Sequence, residues 1–196
     1  MDDDQETHIE GFAAVVLAAG VSARMGRNKL LMEIAGRAMV RHVVETARSV
    51  TPDVVVVTGH QADRIEEAVS RSKPVFVRVD PTEGQGRSIL AGLAASSADL
   101  ATIVFVGDQP RLTEREIASL AAAWLQSDRT KIMVPSYAGE RGWPMIVPKG
   151  FSTDLDLAAP DLHLRHAELV SIYNTRNPVY ASSVDTPEDW RALFVI

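Results

Sequence analysis

Ala13-Ala14-Val15-Val16-Leu17 runs without a polar break into Ala18-Ala19-Gly20-Val21-Ser22-Ala23-Arg24-Met25-Gly26-Arg27-Asn28-Lys29. The aliphatic run fits a strand buried on both faces, because nothing in it alternates between apolar and polar. The residues that follow cannot continue that strand. From Gly20 through Gly26 to Lys29 runs a glycine-bounded loop holding one hydroxyl, Ser22, and three cations, Arg24, Arg27 and Lys29. Glycines let backbone amides approach a polyphosphate, and cations neutralise its charge. A mobile surface loop with solvated bases fits the same residues equally well.

Outward from this stretch the pattern repeats. Aliphatic runs recur at Val54–Thr58, Val75–Val79, Thr102–Val106 and Lys131–Pro135. Amphipathic stretches of helical length lie between them, at about Ala38–Ser49, Ala62–Ser70, Ser88–Ser97 and Glu114–Leu125. Thr113-Glu114-Arg115-Glu116 has the spacing of a capping box, which predicts a helix start. Alternating strands and helices imply a three-layer, Rossmann-like, doubly wound α/β sheet, mostly parallel, with helices on both faces. Past Pro135 the rhythm changes. Residues 137–144 read as a loop leading into a short strand at Met145–Val147, a helix is expected over Asp161–Val170, and an edge strand over Val179–Val184. Thr186-Pro187-Glu188-Asp189 then opens a terminal helix. With no internal repeat and no low-complexity linker, the expectation is an acidic tail over residues 1–11 and one domain over 12–196.

Composition narrows the class. Of 196 residues, 46% are apolar and 23% charged, enough for a full core and against disorder. There is no cysteine, which removes disulfides, thiol nucleophiles and thiolate metal sites. The net charge of −6 owes much to Asp2, Asp3, Asp4, Glu6 and Glu10; without them 21 acids face 20 bases. No basic surface for DNA or RNA is expected from such a balance. No apolar run approaches membrane-spanning length, and Met1-Asp2-Asp3-Asp4 has the wrong sign for a signal peptide, so neither a membrane partner nor export is expected. A cytoplasmic protein is the expectation.

Parallel sheets bind ligands beyond the carboxyl ends of their strands. Four segments there could carry chemistry. The first is the opening loop, which is not a Walker A motif: Gly20 and Gly26 are six apart, and Lys29 comes three later, followed by Leu30. A dinucleotide GxGxxG is also missing. The second, Glu83-Gly84-Gln85-Gly86-Arg87-Ser88, follows a strand and opens a helix, so its amides are available to a ligand; a glycine turn with Ser88 as helix cap is the plainer alternative. The third, Val106-Gly107-Asp108-Gln109-Pro110, places a carboxylate at a strand tip, where it can hold a hard cation or simply make a turn before proline. The fourth, Val184-Asp185-Thr186-Pro187, puts Asp185 ahead of a capped helix.

Leu17 through Lys29 matches L-A-A-G-x-S-x-R-M-G-x-x-K at every fixed position, and so resembles the opening signature of the molybdenum cofactor cytidylyltransferase and guanylyltransferase family. The other three segments resemble that family's G-x-x-x-S, metal-binding Asp and closing D-T-P-E-D elements. The resemblance implies a glycosyltransferase-A-like nucleotidyltransferase. It implies a loop of Leu17, Ala18, Ala19, Gly20 and Ser22 around a nucleoside triphosphate, with Arg24 and Lys29 on its phosphates. Gly84, Gln85 and Ser88 would contact the nucleoside. Asp108, with Asp185, would hold Mg²⁺, and Arg24, Lys29 and Asp108 would carry catalysis. The implied reaction moves an NMP to a phosphorylated acceptor of the molybdopterin type and releases pyrophosphate. Ala18-Ala19-Gly20 is closer to the cytidylyl branch, which favours CTP, with GTP second.

Two segments depart from the family. Gly142-Trp143-Pro144 stands where G-H-P is usual, and Pro160-Asp161-Leu162-His163-Leu164-Arg165 replaces G-D-x-G-A-R. Both fall where the acceptor is expected. They keep two alternatives open: a sugar phosphate or small phosphorylated acid as acceptor, or a non-catalytic nucleotide-binding partner of a molybdoenzyme or its chaperone.

Overall fold

The computed structural model describes residues 8–22, 25–151, 156–159 and 161–194. Its first strand, β1 (Phe12–Ala18), is buried along its whole length. β2 (Glu33–Ile34) and β3 (Arg37–Ala38) form a small separate hairpin. Its Ala35-Gly36 turn has positive φ at both residues, 50° and 74°. The main sheet continues with β4 (Val54–Thr58), β5 (Val75–Arg78), β6 (Ala101–Val106), β7 (Ile132–Tyr137), β8 (Glu140–Arg141), β9 (Met145–Val147) and β10 (Val170–Thr175). Their spatial order is β10-β7-β9-β6-β1-β4-β5, with β8 paired beside β7. β1 is parallel to both β4 and β6, β4 to β5, and β7 to β10; β9 runs antiparallel between β6 and β7.

The helices are α1 (Met39–Val50), α2 (Ala62–Val69), α3 (Gly84–Ala95), α4 (Glu114–Leu125), α5 (Leu162–Arg165) and α6 (Pro187–Ala192). Alternation along β1 explains the layers, since successive side chains leave a strand on opposite faces. Phe12, Ala14, Val16 and Ala18 join a cluster with Val40, Val43 and Val44 of α1, Ile65 of α2, and Ile117 and Leu120 of α4. Val15 and Leu17 join a second cluster with Ile89 of α3 and Leu162 of α5. Both faces of the strand are therefore covered, as its unbroken apolar run predicts, and the doubly wound reading holds. No helix among the described residues is long and apolar enough to cross a membrane.

Beyond Tyr137 two expectations are corrected. The expected helix over 161–170 shrinks to the single turn of α5, and residues 170–175 pair with β7 in parallel register, Val170 opposite Ile132 and Thr175 opposite Tyr137. Val170-Ser171-Ile172-Tyr173 carries β-branched and aromatic residues at two-residue spacing, a strand signal. The expected edge strand over Val179–Val184 is instead a 3₁₀ turn at Pro178–Ala181, started by the Asn177 side chain accepting from Val179 N–H at 3.1 Å. Pro178 has no N–H to give a ladder.

α3 crosses the sheet at Gly92. A Cβ there would overlap Val15 Cγ1 and lie 3.0 Å from Val57 Cγ2, both core side chains with a restricted χ1. Gly92→Ala gains helix propensity yet is expected to lose about 1–3 kcal/mol through overpacking, read from urea midpoints. An equal or higher midpoint would show that α3 can slide.

Candidate active site

The sheet order reverses at β1: the chain steps outward through β4 and β5, then returns to place β6 on the other side. Beyond the carboxyl ends of β1 and β6 lies a cleft of about 370 Å³. Its position is the one that open α/β sheets use for ligands.

Lys29 is held in this cleft by its main chain. Its N–H donates to Ser22 Oγ at 3.2 Å, and it begins a 3₁₀ turn whose first free amide, Leu30 N–H, donates to Asn28 Oδ1 at 3.1 Å. Asn28 is itself buried, with Nδ2 reaching His60 O at 3.4 Å. Asp108 arrives through Gly107, whose N–H bonds Leu17 O at 2.9 Å. A Cβ on Gly107 would sit 2.9 Å from that same carbonyl, so only glycine lets β6 turn this tightly against β1. The Asp108 carbonyl then accepts Val184 N–H at 2.9 Å, which draws Asp185 to the same end of the sheet. Asp189 completes the support by accepting from the N–H groups of Asp185 at 3.0 Å and Thr186 at 2.8 Å. The first-turn acid of α6 is thus a cap, and Asp185 is left to face the cleft.

These supports converge on a triad. Lys29 Nζ lies 2.6 Å from Asp108 Oδ2 and 2.9 Å from Asp185 Oδ1. Burial alone would push the ammonium down, but the two carboxylates reverse this and hold it above the ordinary lysine value. Burial pushes the Asp108 carboxyl up; the Asp185 charge adds to that, and Lys29 opposes both. Asp108 Oδ1 is buried and has no hydrogen-bond partner among the described residues. A carboxylate oxygen left without a donor is costly and calls for a function.

The donor chemistry suits a hard divalent cation. Two carboxylates converge on one positive group, and the orphaned Asp108 oxygen lies within the same pair. Among the described residues no group of three or more His, Asp or Glu could hold a metal. A cation here would rely on Asp108 and Asp185, with water and substrate oxygens completing its coordination, a pattern suited to Mg²⁺.

Most of the sequence-predicted residues meet here. Leu17, Ala19, Gly20, Ser22, Lys29, Gly84, Gln85, Ser88, Asp108 and Asp185 all line the cleft. Ala18 does not: its side chain is fully buried in the cluster on the α1 face. Arg24 lies outside the described residues. Ser88 sits inside α3 and donates to Gly84 O at 3.4 Å, so it is not the helix cap. Gly84 begins α3 at φ +85°, a backbone conformation that favours glycine, and brings the helix's first amides to the cleft. Sequence reasoning gave no role to the apolar part of the wall, Met25, Leu30, Pro81 and Val106: Met25 is a fixed position of the opening signature but bears no chemistry of its own, and the other three are scattered apolar residues outside it.

A family model described as the MobA-like NTP transferase domain matches residues 14–173, most of the chain and all of the cleft except Asp185. The chain belongs to this family. A bifunctional protein GlmU from Albidiferax ferrireducens is 30% identical over 170 residues, covering 82% of this chain and 36% of that protein. Another GlmU, from Cupriavidus pinatubonensis, is 38% identical over 112 residues, 56% of this chain and 25% of that protein. The chain therefore spans only a quarter to about a third of these relatives. Among solved structures, a nucleotidyl transferase from Methanothermobacter thermautotroptrophicus superposes with a TM-score of 0.76 at 22% identity, covering 94% of this chain and 96% of that one. A homologue of Mycobacterium tuberculosis rv0371c from Mycobacterium sp. strain JC1 gives 0.75 at 28%, covering 93% and 94%.

Proposed function

We propose that this MobA-like domain moves a nucleotidyl group, CMP foremost, from a nucleoside triphosphate to a phosphorylated acceptor of the molybdopterin type. The observation that carries the reading is the Lys29 ammonium held between Asp108 and Asp185 at the strand ends. In the reaction a terminal phosphate oxygen of the acceptor forms a bond to the α-phosphorus, and the bond from that phosphorus to the bridging oxygen breaks. Pyrophosphate leaves with the electron pair. The nucleophile is already anionic, so no protein group has to remove its proton. What the chain supplies is position and positive charge.

Lys29 and Arg24 take the triphosphate oxygens, and the first amides of α3 face the same cleft. Gln85 is set to give a side-chain amide to the base. When bound, Mg²⁺ on Asp108 and Asp185 would neutralise charge on the phosphates and orient them. The preference for CTP rests on Ala18-Ala19-Gly20.

The test is pyrophosphate release with molybdenum-loaded molybdopterin and Mg²⁺, comparing CTP, GTP, ATP and UTP, with EDTA as control. Release is expected to be fastest with CTP and to cease with EDTA. Tight CTP binding without acceptor-dependent release would overturn the acceptor assignment, and faster release with GTP would overturn the base.

A further inference from the structure

Of the stretch Gly107-Asp108-Gln109-Pro110 that follows β6, the transfer reaction uses Gly107 and Asp108 and gives no part to Gln109. Gln109 is nonetheless the longest of the buried polar side chains among the described residues, 1% exposed. Its Nε2 donates to Tyr180 O at 3.1 Å, while Oε1 is buried with no hydrogen-bond partner among the described residues. An amide oxygen shut away from water without a donor destabilises the fold, and an apolar side chain of similar shape would avoid that cost. Tyr180 O would still accept from Trp143 N–H at 2.7 Å, so the exchange would orphan no acceptor. Stability alone therefore does not account for an amide at this position.

What the amide adds is the second point of a clamp. Residues 108–109 meet residues 180–184 twice: Asp108 O accepts from Val184 N–H at 2.9 Å, and Gln109 Nε2 reaches Tyr180 O. One hydrogen bond lets two segments pivot about it; a second, made elsewhere along both, fixes their rotation as well. Asp108 and Asp185 sit at the first contact, so the clamp sets how their carboxylates meet.

The far end of the clamp cannot follow Gln109. Tyr180 is buried, its hydroxyl donates to Glu116 O on α4 at 2.7 Å, and its ring stands edge-on to Tyr173 of β10 with centres 5.8 Å apart. Gly142 approaches Tyr180 O so closely that a Cβ there would overlap it. At the near end, Pro110 restricts the backbone of Gln109. The amide thus joins a short turn after β6 to a carbonyl anchored on α4 and on the turn before β9.

We propose that Gln109 is a positioning residue, which holds Asp108 against Asp185 through the Tyr180 carbonyl so that both carboxylates act on one divalent cation. That role rests on the metal function proposed above for the two carboxylates, and it involves neither the base nor the acceptor.

The experiment titrates the full chain with Mn²⁺ alone and reads binding from the relaxation of water protons, without nucleotide or turnover. Gln109→Met and Gln109→Leu are expected to fold, to melt no lower than a few degrees below the parent, and to bind Mn²⁺ about tenfold more weakly, the scale on which groups behind a metal's ligands act. In turnover, the Mg²⁺ needed for half-maximal pyrophosphate release should rise by a similar factor. The CTP needed for half-maximal rate at saturating Mg²⁺ should move by about twofold or less. Gly92→Ala, whose cost falls in the core beneath α3, should keep the parental Mn²⁺ affinity and so separates a moved carboxylate from a softened fold. Parental Mn²⁺ affinity in both Gln109 variants would overturn the inference and leave the metal reading standing. So would equal weakening in Gly92→Ala, or a Gln109→Met variant that melts far below the parent, because the amide would then be a strut of the fold. A parent that binds no Mn²⁺ would overturn the metal reading and this role with it.

Discussion

Asp108→Ala is expected to remove nucleotidyl transfer, by roughly 10²–10³-fold or more, from a chain that stays folded. The two halves of that expectation have one cause. Asp108 stands at the end of β6 with Oδ1 buried and unpaired among the described residues, and burial pushes its carboxyl above the ordinary aspartate value. Its ionised form is tolerated because Lys29 is 2.6 Å away. Such a group is a cost to the fold that is explained only by what it does for a ligand. Truncation removes the buried charge and the orphaned oxygen together, while Lys29 keeps Asp185 at 2.9 Å. The melting temperature should therefore stay within a few degrees of the parent. Pyrophosphate release and thermal melting on one preparation check both halves. Full turnover in the presence of Mg²⁺ would remove Asp108 from the proposed metal site, and an unfolded variant would make it a structural strut.

The central sheet was legible for the same reason that the cleft was. A strand covered on both faces has to be apolar throughout, and Phe12–Ala18, Val54–Thr58 and Ala101–Val106 state this in their residues. Glycines that must stand where they do, Gly84 and Gly107, mark the places where a helix start or a strand end meets the ligand space. Helix α3 begins four residues before the expected Ser88, because Gly84 and Gly86 are poor helix formers and the tertiary setting overrides that propensity.

The periphery was less legible. β10 is an edge strand with one covered side, so its pattern is mixed and its neighbour in sequence, the short α5, blurs the boundary. β8 and the β2–β3 hairpin are two residues per strand, below any periodicity. Side-chain braces such as Gln109 to Tyr180 O, across 71 residues of chain, leave no local trace. Asp185 was visible as a turn residue before a capped helix; what brought it to Asp108 was the Val184 main chain, which no motif records.

Lys29→Ala should have the opposite balance of effects, weakening the fold and the nucleotide site together. Without the ammonium, Asp108 and Asp185 face each other with no cation between them, and one of the two is mostly buried. Removing one partner from a buried ion pair typically costs about 3–5 kcal/mol. Asp185 keeps 39% of its side-chain surface, so water screens its share and the low end, about 3 kcal/mol, is expected at pH 7. The pH dependence has a definite sign. In the variant, burial and Asp185 raise the Asp108 carboxyl further above its unfolded value, since the Lys29 ammonium that opposed them is gone. The penalty is full above that raised value, shrinks as pH falls through it, and vanishes below the ordinary aspartate range. Urea midpoints measured stepwise from pH 7 to pH 3 should approach those of the parent as the pH falls. Triphosphate affinity should fall about tenfold or more, the scale of one lost charge-assisted hydrogen bond. Millimolar Mg²⁺ should restore stability to Lys29→Ala more than to the parent, because a divalent cation can occupy the place between the carboxylates that the ammonium has left. A parental midpoint at pH 7, or a midpoint indifferent to Mg²⁺, would mean that the carboxylate pair neither needs Lys29 nor receives a metal; unchanged triphosphate affinity would take Lys29 off the phosphates.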